Sequence, residues 1–208
     1  MLLSTTKTFS KNHCVNSLDG DAHRLLHQAM QHQDYSRAIS ILNQLIHQDS
    51  NNSEYYSNRG LIYYRCRKWS HAIVDYNQAL RLNPNNDRTY ARRARCNTAL
   101  KQWHEAIADY DSAININPYN IQARINQGIL FRALRMYDEA IVCFGLALFL
   151  GKLSIHVYAE RGRTYHLDEH WNCAMGDYQK ALKLLNQSPN QSLELKIKTW
   201  LAELLANQ

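Results

Sequence analysis

The sequence has little that would break a helix: seven glycines and three prolines in 208 residues. Such scarcity argues against a turn-rich β architecture and for long helices with short connections. The five cysteines, at 14, 66, 96, 143 and 173, are odd in number and form no CxxC pair. That usage builds neither a disulfide framework nor a zinc site, and it fits separate thiols in a reducing compartment. No run approaches the roughly 18 apolar residues of a membrane span, so no membrane insertion is expected. The start, Met1-Leu2-Leu3-Ser4-Thr5-Thr6-Lys7, lacks the apolar core of a secretory signal. It has no acid before Asp19 but also no arginine, which is half the pattern of an organelle transit segment; a cytoplasmic location is the expectation. Catalytic motifs are missing as well. There is no Gly-rich phosphate loop, Gly-x-Ser-x-Gly elbow or His-Glu-x-x-His, so neither an enzyme nor a bound cofactor is expected. His23 with His27, and His166, Asp168 and His170, have ligand-like spacing, but isolated surface histidines account for both and no metal site is assigned.

What is present is a period. An aromatic residue, two free positions, then Ala and an aliphatic residue recur as Tyr35…Ala38-Ile39, Trp69…Ala72-Ile73, Trp103…Ala106-Ile107, Tyr137…Ala140-Ile141 and Trp171…Ala174-Met175. The interval is 34 residues each time, without insertion or deletion. Five repeats follow, at 19–52, 53–86, 87–120, 121–154 and 155–188, after a lead-in at 1–18 expected to be flexible. Each repeat reads as two helical stretches of about 14 residues around a short turn. Ser53, Ser70, Asp19, Asp87, Ser36, Asp138 and Asn172 sit where N-caps are expected. Gly60, Ala94, Gly128 and Gly162 recur in the first helix, and Ala72, Ala106, Ala140 and Ala174 in the second. Facing small residues let two antiparallel helices approach, and Tyr56, Tyr63, Tyr76, Tyr158, Tyr165 and Tyr178 fill the flanks. Residues 189–208 are not a sixth repeat. Leu193, Ile197, Trp200, Leu201 and Leu204 share one helical face there, as a capping helix over about 191–206 requires, with a partner-binding helix as the rival reading.

Differences between internal copies are informative too. Arg59, Arg93 and Arg161 share one repeat position, and Asp75, Asp109 and Asp177 share another. The fourth repeat has Gln127 and Cys143 there and the first has Leu25 and Ile41, so the charges are lost together. This covariation predicts a structural Arg–Asp bridge within each charged helix pair.

The pattern resembles the tetratricopeptide repeat, whose signature combines a large residue, Leu-Gly or a variant, an aromatic, Ala, an aromatic, Ala and a closing Pro. The resemblance covers 19–188. It departs most in the first repeat, where Leu26, Leu42 and Leu45 replace small, aromatic and small residues, and in the fourth, where Gly151-Lys152 replaces the closing Pro. It implies an all-α, right-handed α-solenoid whose first helices line a concave groove that holds a peptide or partner helix. The implied groove positions are His23, His27 and Met30 in the first repeat, and Glu54, Ser57, Asn58, Leu61 and Tyr64, with Arg65 nearby, in the second. In the third they are Arg88, Ala91, Arg92 and Arg95. In the fourth they are Gln122, Ile125, Asn126, Ile129 and Arg132, and in the fifth His156, Ala159, Arg163 and His166. The implied groove is basic at its centre, with aliphatic sites at Leu61, Ile125 and Ile129. Some co-chaperone members of the family clamp C-terminal carboxylates with Lys and Asn, then Asn, then Lys and Arg. Here Asn58 and Arg92 match and Arg88 keeps the charge, but His23 and His27 do not match.

A second surface stands out. Val142, Leu146 and Phe149 fall on one face of a second helix where the neighbouring copies carry Ala108, Ser112 and Asn115, or Gly176, Lys180 and Lys183. The expectation is either an exposed apolar patch, serving a homodimer or second partner, or local cover by the 150–156 connection.

The net charge of +6 favours acidic partners. Arginine suits such a groove, because its planar fork holds a carboxylate with two hydrogen bonds. The expected function is therefore a non-catalytic protein–protein interaction module, an adaptor or scaffold, that binds an acidic or apolar peptide or partner. RNA binding through the same groove is the alternative, weakened because only Tyr64 among the aromatics clearly faces the groove.

Overall fold

The computed structural model describes residues 22–151 and 154–206; the 1–18 lead-in, the Asp19 cap, Cys14 and Leu153 lie outside them. Among the described residues there are eleven helices and no strand. The first, α1, covers 22–31. The others are α2 (Tyr35–Gln48), α3 (Ser53–Arg65), α4 (Trp69–Leu82), α5 (Asp87–Ala99), α6 (Trp103–Ile116), α7 (Ile121–Ala133), α8 (Tyr137–Phe149), α9 (Ser154–Leu167), α10 (Trp171–Leu185) and α11 (Gln191–Ala206). The chain forms two compact units, Met1–Leu100 and Lys101–Gln208.

The caps of the first helices lie one residue earlier than expected. Asn52, Asn86 and Asn120 are the N-caps, their side-chain oxygens accepting from the amides of Glu54, Thr89 and Ala123 at 2.9–3.0 Å. Ser53 and Asp87 are instead the first helical residues. Ser70, Ser36, Asp138 and Asn172 lie inside the first turns of their helices, which start at the aromatic residue. Asp34 caps α2, accepting from the Arg37 amide at 3.0 Å, whereas Lys68, Met136 and His170 give no side-chain cap.

The turn before those helices explains why little capping is needed. Gln33, Arg67, Lys101, Arg135 and Glu169 all have φ between 56° and 61°. In the second repeat the Arg67 amide donates to Tyr64 O at 3.0 Å and the Lys68 amide to Tyr63 O at 2.8 Å. The same two bonds recur around Gln33, Arg135 and Glu169. This is the Schellman arrangement, which satisfies the ending helix with main-chain atoms alone. It is normally built on Gly, and here longer side chains carry the left-handed conformation.

Within a pair the small residue is sterically required. A Cβ on Gly60 would meet the Tyr76 ring at 2.8 Å, one on Gly128 the Phe144 ring at 3.0 Å, and one on Gly162 the Tyr178 ring at 2.9 Å. In the first unit Leu42, Leu45 and Ile62 fill the core of the α1–α3 region. In the second unit Ile125, Phe144 and Val157 join α7, α8 and α9. There α11 packs Ile197 and Leu204, both fully buried, into the cluster of Ala159, Ala174 and Tyr178.

The covariation reports real pairs. Arg59 donates through Nε to Asp75 Oδ2 at 2.8 Å and through Nη2 to Oδ1 at 2.6 Å. Arg161 does the same to Asp177 at 2.7 and 2.9 Å. Where the charges are missing, Cys143 Sγ donates to Gln127 Oε1 at 3.5 Å and Gln127 Nε2 donates to Asp111 Oδ1 at 2.6 Å. Burial pushes the Cys143 thiol up to about 11, so it stays protonated. Arg93 and Asp109 fall one in each unit.

Candidate functional site

In the first unit the first-helix face is made by α1, α3 and α5. Its α3 and α5 parts are tied by hydroxyls and arginines. Ser57 Oγ and Thr89 Oγ1, both buried, lie 2.9 Å apart, and Arg92 Nη1 donates to Ser57 Oγ at 2.9 Å. Arg95 Nη2 donates to Tyr64 Oη at 3.2 Å, with its guanidinium 4.5 Å from the Tyr64 ring centroid. Arg88 and Arg65 are exposed beside them. Among the described residues none of these four arginines forms an ion pair. Burial, reinforced by the like charges of Arg88, Arg95 and Arg65, holds the Arg92 guanidinium below its ordinary value. A cation partly removed from water with only a hydroxyl partner is an uncompensated charge, and an anion is what it lacks.

A second feature lies behind the cluster. The Tyr76 side chain is fully buried and its hydroxyl has no hydrogen-bond partner among the described residues. Burial raises its pKa, and Cys96, Arg92, Arg95 and Tyr64 are within electrostatic reach. A satisfied core rarely leaves such a donor idle.

On the other side of α3, His23, Leu26, His27 and Met30 of α1 and Asn58, Leu61 and Ile62 of α3 line an open pocket of about 340 Å³ floored by Leu42. His27 Nε2 is 2.9 Å from Gln31 Nε2, and the His23 ring lies 5.8 Å from that of Tyr55. The pocket wall is mostly apolar, so its chemistry is that of a side-chain receptor.

The second unit treats its arginines differently. Arg132 Nη1 donates to Glu160 O at 2.9 Å and Nη2 to Glu160 Oε2 at 2.7 Å. Lys196 Nζ of α11 donates to Glu160 Oε1 at 3.3 Å, and His156 Nε2 lies 4.0 Å from the same oxygen. Burial alone would raise the Glu160 carboxyl, but Arg132, Lys196 and His156 outweigh it and hold it below its ordinary value. Arg163 Nη1 donates to Glu203 Oε2 of α11 at 2.7 Å, with its guanidinium 5.4 Å from the Trp200 ring centroid.

The expected groove set therefore divides. Asn58, Leu61, Tyr64, Arg65, Arg88, Arg92 and Arg95, with His23 and His27, remain reachable on the first unit. In the second unit Asn126 accepts from Gln122 at 3.1 Å, and Ile129 packs partly against the core. Four of the expected positions are buried and two carry ion-pair partners. Ile125 is fully buried against Phe144 and Val157 and offers no aliphatic groove site. Arg132 and Arg163 carry carboxylate partners of their own. Ser57, Ala159 and His166 are likewise buried. Glu160 was missed, although it occupies the repeat position of Asn58, Arg92 and Asn126, each 34 residues apart. Among the described residues no group of three His, Cys, Asp or Glu could hold a metal ion, and no helix is long and apolar enough to cross a membrane.

The α8 surface is exposed: Val142 by 59%, Leu146 by 43% and Phe149 by 88%. Gly145 lies among them with nothing within 4 Å of a Cβ built there, unlike the glycines inside the helix pairs.

Residues 53–86 match the family model of the tetratricopeptide repeat. No curated protein sequence matches the chain. Solved structures do. A segment of MamA from Desulfovibrio magneticus RS-1 is 15% identical, with 81% of this chain and 96% of that chain covered and a TM-score of 0.73. A thermophilic tetratricopeptide protein of Thermus thermophilus is 16% identical over 88% of this chain and 98% of that one, with a TM-score of 0.72. YrrB, described as a tetratricopeptide protein with an unusual peptide-binding site, is 21% identical over 84% and 88%, with a TM-score of 0.64. At these identities the likeness speaks for the fold, the helical solenoid of tetratricopeptide repeats. The fold is that of stacked tetratricopeptide-type helix pairs, with the family's own pattern matched at 53–86 and a similar helix pair recurring on both sides of that segment.

Proposed function

We propose that the chain is a non-catalytic protein-interaction module, an adaptor or assembly factor, that takes an acidic segment of a partner protein on the first-helix face of its first unit. The tetratricopeptide fold supports an interaction module in general. The observation that supports an acidic partner is Arg92, partly buried, bonded to the Ser57 hydroxyl and surrounded by Arg65, Arg88 and Arg95 without a carboxylate. Arginine forks bind carboxylates with two charge-assisted bonds, and a partner would supply what the described residues do not. YrrB carries a peptide-binding site by its own description, which is compatible with this use of the fold. The same reading takes 19–188 as five repeats and 189–208 as their cap. It places the protein in the cytoplasm, where the four described cysteines, all free, stay reduced.

RNA is the rival occupant of a basic face. The Tyr64 ring is covered by the Arg95 guanidinium, which leaves it poorly placed to stack a base. The exposed α8 face is a separate surface, assigned to a second copy of the chain or a second partner. A monomer that stays monodisperse at high concentration and is unchanged by Leu146→Glu would remove the dimer.

The test is an affinity pull-down from native lysate, with and without nuclease. Wild type is compared with an Arg88→Glu, Arg92→Glu, Arg95→Glu variant of full helicity. Retention of a protein by wild type and its loss from the variant supports the reading. Loss of the signal on nuclease treatment alone transfers the site to RNA. Equal retention by both baits moves the contact to the α8 face.

A further inference from the structure

We propose that the outward face of α8 docks an α-helix of a partner protein, one that sets an Asp or Glu carboxylate against Arg161 with apolar residues one turn to either side. The inference rests on the reading of this face as a surface for a second partner, adds the chemistry of that partner, and is independent of the first-unit face.

The internal copies show what the face has lost. Residues 59, 93, 127 and 161 each lie 16 positions after residues 43, 77, 111 and 145 of the preceding second helix. Arg59 Nη1 donates to Asn43 Oδ1 at 2.7 Å, Arg93 Nη1 to Asn77 Oδ1 at 2.7 Å, and Gln127 Nε2 to Asp111 Oδ1 at 2.6 Å. At the next step the acceptor position is Gly145. Arg161 uses Nε and Nη2 on Asp177, and its Nη1 has no hydrogen-bond partner among the described residues. The bridge to Asp177 holds the helix pair; the third donor is left over. Its side chain is 22% exposed, so water answers that donor in the free chain, and a partner that displaces the water has to replace the bond. The place of the acceptor stands open, with nothing within 4 Å of a Cβ built on Gly145.

The lost acceptor coincides with the gained apolar residues. Val142, Leu146 and Phe149, all exposed, surround Gly145 on the same helix face. From Val142 to Phe149 the stripe rises about 10 Å, two turns of helix. A partner helix laid along it spans the same length with residues at i−4, i and i+3, and the missing side chain at Gly145 lets the two backbones approach at the centre. Charge selects the central residue. Lys180 and Lys183 of α10 occupy the repeat positions of Leu146 and Phe149, are exposed, and form no ion pair among the described residues. Beside these lysines and the spare arginine donor a carboxylate is favoured over a neutral acceptor. A second copy of the chain fits less well. Crossing at Gly145, it would set two spare donors side by side and keep its own α8 carboxylates, Asp138 and Glu139, seven and six residues away.

The experiment is selection on the full chain from a displayed library of 16-residue helices randomised at i−4, i and i+3, followed by fluorescence anisotropy of the selected helices. They should carry Asp or Glu at the centre between apolar residues. Replacing that acid by Ala should weaken binding to wild type roughly tenfold, the loss of one charge-assisted hydrogen bond. The same replacement should cost nothing on the Gly145→Asn chain, where Arg161 regains the internal acceptor it has in the earlier copies. The Leu146→Glu chain should lose binding, and the Arg88→Glu, Arg92→Glu, Arg95→Glu chain should bind as wild type does. Selected helices that are apolar throughout, or an equal loss on wild type and Gly145→Asn, overturn the acceptor role and leave a plain apolar surface. Binding lost in the triple-arginine variant moves the helix to the first-unit face and overturns the α8 site. A concentration-dependent dimer of the chain that Leu146→Glu abolishes gives the face to a second copy. No enriched helix overturns both the proposal and the second-partner reading, and leaves the acidic-partner reading of the first unit standing.

Discussion

The two units place arginine on the same face of their first helices and answer it differently. In the first unit Arg92 bonds a hydroxyl, Arg95 lies on a tyrosine ring, and neither meets a carboxylate among the described residues. In the second, Arg132 and Arg163 are each held at 2.7 Å by a glutamate. One repeat position decides much of this: it is Asn58, Arg92, Asn126 and Glu160 in successive repeats. Arg at that position leaves a face short of negative charge, and Glu supplies it. A stack of near-identical helix pairs can thus change the sign of its surface with a single substitution per repeat, because the packing that makes the pair lies elsewhere. The Arg59–Asp75 and Arg161–Asp177 bridges are common to both units, so they concern the pair and not the partner.

The strongest way to break this comparison is at Glu160. Glu160→Ala strips Arg132 and Lys196 of a buried carboxylate and should destabilise the second unit by roughly 3–5 kcal/mol, read from urea unfolding. Arg92→Ala removes a cation that has no carboxylate and should change stability by less than about 1 kcal/mol. Equal costs would mean that the two faces are not electrostatically different. Acid sharpens the same contrast. The folded-state carboxyl of Glu160 is depressed, so its contribution is full above the unfolded value of about 4.3 and is lost as pH falls through the folded value. Hydrogen exchange should show α9 losing protection on acidification before α3, and Glu160→Gln should remove that pH dependence.

The shared bridges give the next effect. Asp75→Ala and Asp177→Ala should each cost about 2–4 kcal/mol, a similar amount in both units. Arg59→Leu combined with Asp75→Leu should recover stability relative to the worse single change; no recovery in the double mutant would refute coupling. Gly162→Ala should cost about 1–3 kcal/mol by driving a methyl into Tyr178, whereas Gly145→Ala, with open space at its Cβ, should be neutral or stabilising. The smallest effect is a gain. Arg135→Gly should stabilise by about 1 kcal/mol, because glycine adopts φ near 61° without the Cβ clash.

The fold was readable because packing repeats: an aromatic and an alanine return every 34 residues, a small residue returns in four of the five repeats, and glycine does the same steric work at 60, 128 and 162. The Arg–Asp bridges were readable because two positions lose charge together. The face was harder. His23, Ser57, Ala91, Ile125 and Ala159 share one position; Ser57, Ile125 and Ala159 are buried, and small residues in three of the five copies were the sign that this position turns toward a neighbouring helix. Glu160 and its contacts with α11 depend on a helix outside the period, so no internal copy could reveal them. The asparagine caps at 52, 86 and 120 do repeat, but each is followed by a residue that starts the helix, and Ser53 and Asp87 are themselves good caps.

The left-handed turns have one more use. Gln33, Arg67, Lys101, Arg135 and Glu169 are all exposed, and the bonds that shape the turns at Gln33, Arg67, Arg135 and Glu169 come from the main chain. The side chains there carry no part of the joint. They are natural attachment points for spectroscopic labels, one per repeat, from which motion within each helix pair can be followed without altering the residues that meet a partner.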